Sequence, residues 1–109
     1  MKDFVKVANL DEIKEGKMKI FYVEGEEIVL AKVNGKIYAF TNFCSHENGP
    51  LGEGSLNGKI VTCPWHMAQF DITTGKVVNV PFDTEKYGKV KDIETFEVKI
   101  EGKDVFVKI

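Results

Sequence analysis

The stretch that decides the fold reads CSHENGPLGEGSLNGKIVTCPWH, from Cys44 to His66. It contains both cysteines and both histidines of the 109-residue chain, in two mixed pairs: Cys44 with His46, and Cys63 with His66. Thiolates and imidazoles bind zinc and also iron–sulfur clusters, and two such pairs can close around one metal centre. The pattern therefore predicts a metal site.

Several kinds of site stay open on the residues alone. A pair of thiols beside unrelated surface histidines, or a disulfide between the two segments, leaves the histidines unexplained. A structural zinc site takes the same ligands, but zinc fingers usually pair cysteine with cysteine and histidine with histidine. Mixed pairs suit an asymmetric [2Fe–2S] cluster, with the cysteines on one iron and the histidines on the other. Two neutral imidazoles in place of thiolates make the oxidised cluster neutral, so it accepts an electron more readily.

Outward from this stretch, the sequence predicts short strands joined by tight turns. Apolar residues alternate with polar ones on both sides of the last turn, which predicts a closing hairpin. An Asn-Gly pair between two apolar runs is typical of a two-residue type I′ hairpin. The predicted turns are at Asn34-Gly35, Asn57-Gly58, Gly75 and Gly102-Lys103-Asp104.

The predicted fold class is all-β, a small antiparallel β-sandwich or barrel in a single domain over residues 1–109. One short helix is expected over about Leu10–Glu15, because Asn9 and Glu12 fit a capping box and Gly16 fits a stop signal. Both Cys/His pairs fall in loops after strands, which gives a metal-binding subdomain of two loops over about residues 41–80. The stretch 81–94 is predicted to be irregular.

Composition and charge exclude several classes of partner. Fifteen basic and seventeen acidic residues give a net charge of −2, mixed along the chain, so no nucleic-acid partner is expected. No apolar run is long enough to span a membrane, and the first residues do not look like a signal peptide. We therefore expect no membrane partner and a cytoplasmic location, where two cysteines are better interpreted as ligands than as a disulfide.

The four residues and their spacing resemble the Rieske family, whose signature is C-x-H followed by C-x-x-H. The resemblance covers essentially the whole chain. It implies a Rieske-type fold and one [2Fe–2S] cluster bound by Cys44, His46, Cys63 and His66. It also places Pro81 in the loop that carries a proline over the cluster in that family.

Within the family, the chain resembles the soluble ferredoxins rather than the high-potential, membrane-anchored members. Those members carry an extra cysteine in each loop, and a serine and a tyrosine where this chain has Ala68 and Phe70. Fewer donors to sulfur imply a potential near the low end of the Rieske range, about −150 mV.

The resemblance implies an electron carrier and not an enzyme. It would pass single electrons from a flavin-dependent ferredoxin reductase to a terminal oxygenase, such as an aromatic-ring dioxygenase, or to another redox acceptor. The alternative is a small Rieske-like subunit of a larger reductase such as nitrite reductase.

The residues near the two loops give further expectations. Phe43, Pro50 and Leu51 are predicted to wall the cluster. Trp65 is a candidate for shielding the cluster or for docking, with a structural role as the alternative. Glu47 is a candidate for docking, but a plain solvated side chain is the preferred interpretation. The family usually has glycine directly after the second ligand histidine, where this chain has Met67. Glycine there would permit an unusual backbone angle or a close approach of the chain to the cluster, whereas Met67 would add apolar cover. The strand aromatics predicted to lie in the core are Phe4, Tyr22, Phe40, Phe96 and Phe106.

Overall fold

The computed structural model describes residues 4–44, 49–65, 67–80 and 90–109. Within these ranges the chain forms three antiparallel sheets with two short 3-10 helices, and no helix is long and apolar enough to cross a membrane. The all-β prediction is confirmed. The division into one domain with a subdomain over about 41–80 stays a prediction.

The strands are short and follow one another closely in sequence. They are β1 (Phe4–Asn9), β2 (Met18–Val23), β3 (Glu26–Val33), β4 (Lys36–Thr41), β5 (Ser55–Asn57), β6 (Ile60–Thr62), β7 (Gln69–Asp71), β8 (Val77–Asn79), β9 (Thr95–Phe96), β10 (Val98–Glu101) and β11 (Asp104–Lys108). The sheets have the orders β1-β11-β10, β2-β3-β4-β9 and β5-β6-β7-β8. The cysteine-bearing loops leave β4 and β6, one from each four-stranded sheet.

The turn between β3 and β4 has the predicted type I′ character. Asn34 and Gly35 have φ angles of 53° and 79°, and Val33 pairs with Lys36 across the turn. The Glu15 carboxylate accepts hydrogen bonds from the Asn34 and Gly35 amides at 2.7 and 2.9 Å. Those two backbone bonds, the Gly35 bond first, lower the pKa of Glu15. A remote side chain therefore reinforces a turn that the local sequence already favours.

The predicted helix is shorter than expected. The capping box at Asn9 and Glu12 is present, but the helix is a 3-10 turn over Leu10–Glu12. Ile13 is extended and buried, at 3% exposure, and Glu15 forms a bridge with Lys32. The prediction to Glu15 was wrong because core packing and the β3–β4 turn take these two residues out of the helix.

Two apolar clusters form the core of the described residues. One contains buried residues of β1 to β4 and of β11, and the other contains the remaining buried residues of β3 and β4 together with Cys44 and Cys63. The prediction for the aromatics is confirmed for Phe40, which is fully buried, but is wrong for Tyr22, which is 78% exposed on the edge strand β2. Phe4 is also partly exposed at 37%, with the ammonium groups of Lys99 and Lys108 over its ring.

Most of the predicted irregular stretch 81–94 lies outside the described residues, and with it Pro81. Its last residues, from Val90 to Glu94, form no regular element. Ile93 is buried and donates its amide to the Gly75 carbonyl at 2.8 Å. This contact attaches the end of the stretch to the turn between β7 and β8.

Candidate metal centre

The first loop leaves β4 through Asn42 and Phe43 and reaches Cys44, which is 2% exposed. The Cys44 amide donates to the Gly49 carbonyl at 2.8 Å, and Phe43 forms an antiparallel bridge with Pro50. The two arms of the loop are thus paired at its base, through Phe43 with Pro50 and Cys44 with Gly49. Residues 45–48, which include the predicted ligand His46 and the docking candidate Glu47, lie outside the described residues.

The second loop leaves β6 at Thr62 and places Cys63 directly after the strand, at 1% exposure. The Cys63 amide donates a hydrogen bond to the Ala68 carbonyl at 2.8 Å, and the Met67 amide donates one to the Cys63 carbonyl at 3.0 Å. Met67 has a φ of 63°, the left-handed conformation that suits glycine. The backbone angle that the family's glycine would permit is therefore present here with methionine, whose side chain is 56% exposed. The predicted ligand His66 lies outside the described residues.

The two loops touch at Gly49 and Cys63. A Cβ atom on Gly49 would lie 2.7 Å from the Cys63 Sγ and 3.2 Å from the Trp65 ring. Only glycine therefore allows this close approach. Because the Cys44 amide is bonded to Gly49, the contact also brings the two cysteines into one buried cluster.

The sulfur half of the predicted ligand set fits a metal centre. Cys44 and Cys63 are both buried, come from facing loops and are not joined by a disulfide. Thiolates are the form that binds metal, and a buried anion needs a cation beside it. Two buried sulfurs in one place are therefore suited to hold a metal ion or an iron–sulfur cluster.

The walls around the cysteines are mostly apolar. Leu51, Ala68 and Phe70 have no exposed surface and belong to the same buried cluster as the two sulfurs. The wall role predicted for Leu51 is thus supported, whereas Phe43 is 40% exposed and covers little. Trp65 is also exposed, at 56%. A dry shell of this kind limits water near the site and tunes its potential.

Two polar residues at the bases of the loops were not predicted. Asn42 and Thr62 are the buried polar side chains in the part of the chain that the structure describes. The Thr62 hydroxyl accepts a bond from the Gln69 side chain at 3.1 Å, across the base of the second loop. The sequence signal was their position, at or next to the end of a strand and one or two residues before a cysteine, but it does not reveal their burial.

Asp71, at the end of β7, stabilises the β7–β8 hairpin that follows the second loop. Burial raises the pKa of Asp71, but the hydroxyl and amide of Thr73 and the ammonium of Lys59 outweigh this, so the pKa is lowered. The Thr73 hydroxyl lies 2.6 Å from the carboxylate, and the Gly75 amide donates to the Asp71 carbonyl at 2.7 Å. This network fixes the β7–β8 turn.

Comparison with known proteins agrees with this geometry. Residues 3–97 match the family described as the Rieske [2Fe-2S] domain. The ferredoxin component of the naphthalene 1,2-dioxygenase/salicylate 5-hydroxylase systems of a Ralstonia species is 38% identical over 107 residues, covering 98% of this chain and 96% of the relative. The naphthalene 1,2-dioxygenase ferredoxin component of Pseudomonas aeruginosa is 35% identical, with 97% and 95% covered.

Solved structures show the same fold. The ferredoxin of carbazole 1,9a-dioxygenase from Nocardioides aromaticivorans IC177 superimposes with a TM-score of 0.84 at 29% identity, covering 95% of each chain. The Sphingomonas yanoikuyae B1 ferredoxin gives 0.85 at 27% identity, covering 98% of this chain and 99% of the other. These relatives are ferredoxins over nearly their whole length, and the family match favours an iron–sulfur cluster over zinc. The chain therefore belongs to the Rieske [2Fe–2S] domain family, as an electron-carrying ferredoxin with a Rieske-type cluster and not as an enzyme.

Proposed function

We propose that Cys44, His46, Cys63 and His66 bind the cluster, and that the chain carries single electrons from a flavin-dependent reductase to a terminal oxygenase. The observation that carries the ligand assignment is the contact between the two loops at Gly49 and the Cys63 sulfur. His46 is two residues beyond Cys44 and His66 three beyond Cys63. Each histidine thus belongs to a loop that already contributes a buried thiol.

A bound cluster of this type takes up and releases one electron, at a potential above that of an all-cysteine [2Fe–2S] ferredoxin. The chain's own residues keep that potential at the low end of the Rieske range. Ala68 and Phe70 are fully buried beside the cysteines and have no hydroxyl to donate to sulfur. A site without these donors stabilises the added negative charge less, which supports a value of about −150 mV.

The partner assignment comes from the named systems of the relatives. The Ralstonia and Pseudomonas proteins are ferredoxin components of dioxygenase systems, and the matches cover 97–98% of this chain and 95–96% of the relatives. We therefore extend the same place in a reductase–ferredoxin–oxygenase sequence to this chain, in the cytoplasm. The alternative role as a small subunit of a reductase such as nitrite reductase is not favoured, because these relatives are separate ferredoxins.

The ligand set is tested by spectroscopy of the purified protein. Iron and sulfide analysis should give a [2Fe–2S] cluster, and dithionite reduction should give a rhombic EPR signal whose average g value is below that of all-cysteine clusters. Pulsed EPR of the reduced protein should show coupling to two histidine nitrogens. A protein that contains zinc and no iron, or a cluster without nitrogen coupling, refutes the assignment.

Single variants then assign each ligand. His46→Cys and His66→Cys should each remove one nitrogen coupling, while Cys44→Ser and Cys63→Ser should reduce the iron content. His66→Cys with both nitrogen couplings intact would show that His66 is not a ligand. No other histidine or cysteine exists in the chain to replace a lost ligand.

The place in an electron-transfer sequence needs a separate experiment. The reductase and oxygenase components of a naphthalene dioxygenase system serve as probes. With NADH, the reductase should bleach the visible absorption of this chain, and the oxygenase with its aromatic substrate should restore it. Reduction without reoxidation by the oxygenase would place the acceptor elsewhere. Stable co-purification with a large siroheme-type subunit would support the alternative.

A further inference from the structure

A buried amide side chain lies at the base of the first loop. Asn42 follows β4 directly, stands two residues before Cys44 and is 2% exposed. A polar side chain is rarely buried unless all its polar atoms are bonded, because an unmet group costs free energy. The hydrogen bonds of Asn42 therefore indicate its structural role.

Asn42 joins β3 to residues 49–52, the part of the first loop that follows the cysteine and is called the returning arm below. Its Nδ2 donates to the Glu27 Oε1 at 2.9 Å, and its Oδ1 accepts from the Gly52 amide at 2.8 Å. Its own amide donates to the Glu27 carbonyl at 3.1 Å, and its carbonyl accepts from the Leu51 amide at 2.7 Å. All four polar groups thus connect the sheet to the far side of the loop.

The returning arm has no room to move at this point. A Cβ atom on Gly52 would collide with the Ile20 side chain on β2 and would lie 3.0 Å from the Asn42 Oδ1. Leu51, next to it, is fully buried. The arm is therefore held between the sheet on one side and the Asn42 amide on the other.

The same arm leads to the contact with the second cysteine. It runs from Gly52 through Leu51 and Pro50 to Gly49, which lies against the Cys63 Sγ and is bonded to the Cys44 amide. Two residues, Leu51 and Pro50, lie between the Asn42-bonded Gly52 and this contact. A shift of the arm at Gly52 would therefore change the spacing between the Cys44 loop and the Cys63 sulfur.

We propose that Asn42 is a positioning residue that fixes the Cys44 loop against Cys63 and so holds the cluster in one geometry. This rests on the ligand assignment proposed above. An amide side chain suits the position, because its nitrogen donates to a carboxylate while its oxygen accepts from a backbone amide. Aspartate would set two carboxylates against each other, and an apolar residue would leave both partners unmet.

Exchanging the donor and the acceptor of the Asn42–Glu27 hydrogen bond tests whether Asn42 holds the loop in place. Asn42→Asp keeps the acceptor for the Gly52 amide but removes the donor to Glu27. At mildly alkaline pH it should release iron to a chelator on the order of ten- to a hundredfold faster, as expected for the loss of one hydrogen bond to a charged group. The EPR line of the reduced cluster should also broaden, because the loop no longer has one position.

Adding Glu27→Gln to that variant restores the bond with its direction reversed, since the new amide donates to the new carboxylate. The double variant has the same formal charge as the wild type, so it should recover the wild-type release rate and EPR line. Glu27→Gln alone should change little, because the Asn42 amide can still donate to the glutamine oxygen. Asn57→Asp, the same chemical change at the exposed end of β5, is the matched control and should leave both readouts unchanged.

Each outcome is informative. Wild-type release and EPR in Asn42→Asp overturn the proposal. If that variant loses the cluster, recovery in the double variant supports the proposal, and continued loss overturns it. A wild-type protein without histidine-coupled EPR would instead refute the ligand assignment, before any variant is compared.

Discussion

Met67 provides a quantitative test of the backbone at the second loop. Its φ of 63° is in the left-handed region, and its amide is fixed by the bond to the Cys63 carbonyl at 3.0 Å. A residue with a Cβ atom in this conformation costs about 1–2 kcal/mol relative to glycine. We therefore expect replacement of Met67 by glycine to stabilise the loop backbone.

The cleanest comparison is between Met67→Gly and Met67→Ala. Both variants lose the methionine side chain, which is 56% exposed, so the lost contacts nearly cancel between them. Glycine relieves the strain of about 1–2 kcal/mol but loses about 0.5–1 kcal/mol to the greater freedom of the unfolded chain. At the midpoints of these two ranges the glycine variant should be more stable than the alanine variant by about 0.8 kcal/mol. For a domain of this size that corresponds to roughly 3–6 °C in the unfolding midpoint.

Thermal unfolding of the loaded protein, followed by circular dichroism and by the visible band at one fixed scan rate, measures this difference. Val78 on β8 is the matched control, because it is 55% exposed and is not among the residues with positive φ. At Val78 the order should reverse, with alanine more stable than glycine by about 0.4–1 kcal/mol. Equal stability of the two Met67 variants, or a more stable alanine variant, would refute the strain at this position.

Three other predictions concern separate features. The lowered pKa of Glu15 means that its contribution to stability is present above the unfolded pKa and is lost as the pH falls through the folded pKa. Glu15→Gln should therefore reduce the loss of stability at acidic pH, measured as the urea midpoint of unfolding against pH. An unchanged acidic part of that profile would contradict this. Gly49→Ala should lower the iron content per chain, because its Cβ would lie 2.7 Å from the Cys63 sulfur. Gly102→Ala has open space around its Cβ and adds only the backbone strain of a φ of 63°, so it should keep its iron. Equal iron content in the two variants would remove the steric argument. Phe70→Tyr adds a hydroxyl beside the buried cysteines, and a hydrogen bond from it to sulfur should raise the midpoint potential by roughly 20–60 mV. A redox titration that shows no upward shift would argue against a missing hydrogen-bond donor to sulfur at this position.

Local chemistry explains what could be predicted from the sequence. Asn34-Gly35 predicts a type I′ turn because these residues tolerate positive φ, and the structure has both angles positive. The alternating pattern near Val105 and Val107 predicts a hairpin with those side chains buried, and both are fully buried. The clustering of every cysteine and histidine in two short segments predicts the metal site from composition and spacing alone.

The errors come from long-range contacts. The helix ends at Glu12 because Ile13 is drawn into the core and Glu15 binds a turn formed nineteen and twenty residues later. Tyr22 has the residue type of a core aromatic but lies on the edge strand β2, which the sequence does not identify as an edge. Neither outcome is encoded within a few residues of the position.

The sequence by itself determined the ligand chemistry, the all-β class and the tight turns, since these depend on residue type and on φ preferences over a few neighbours. Only the tertiary structure decided that Gly49 lies on the Cys63 sulfur and that Asn42 fastens the first loop to Glu27. Both contacts join segments that are distant in sequence and depend on how the strands are paired and packed. The position of the two cysteine loops beside each other also depends on tertiary packing, because one loop follows β4 and the other follows β6, in a different sheet.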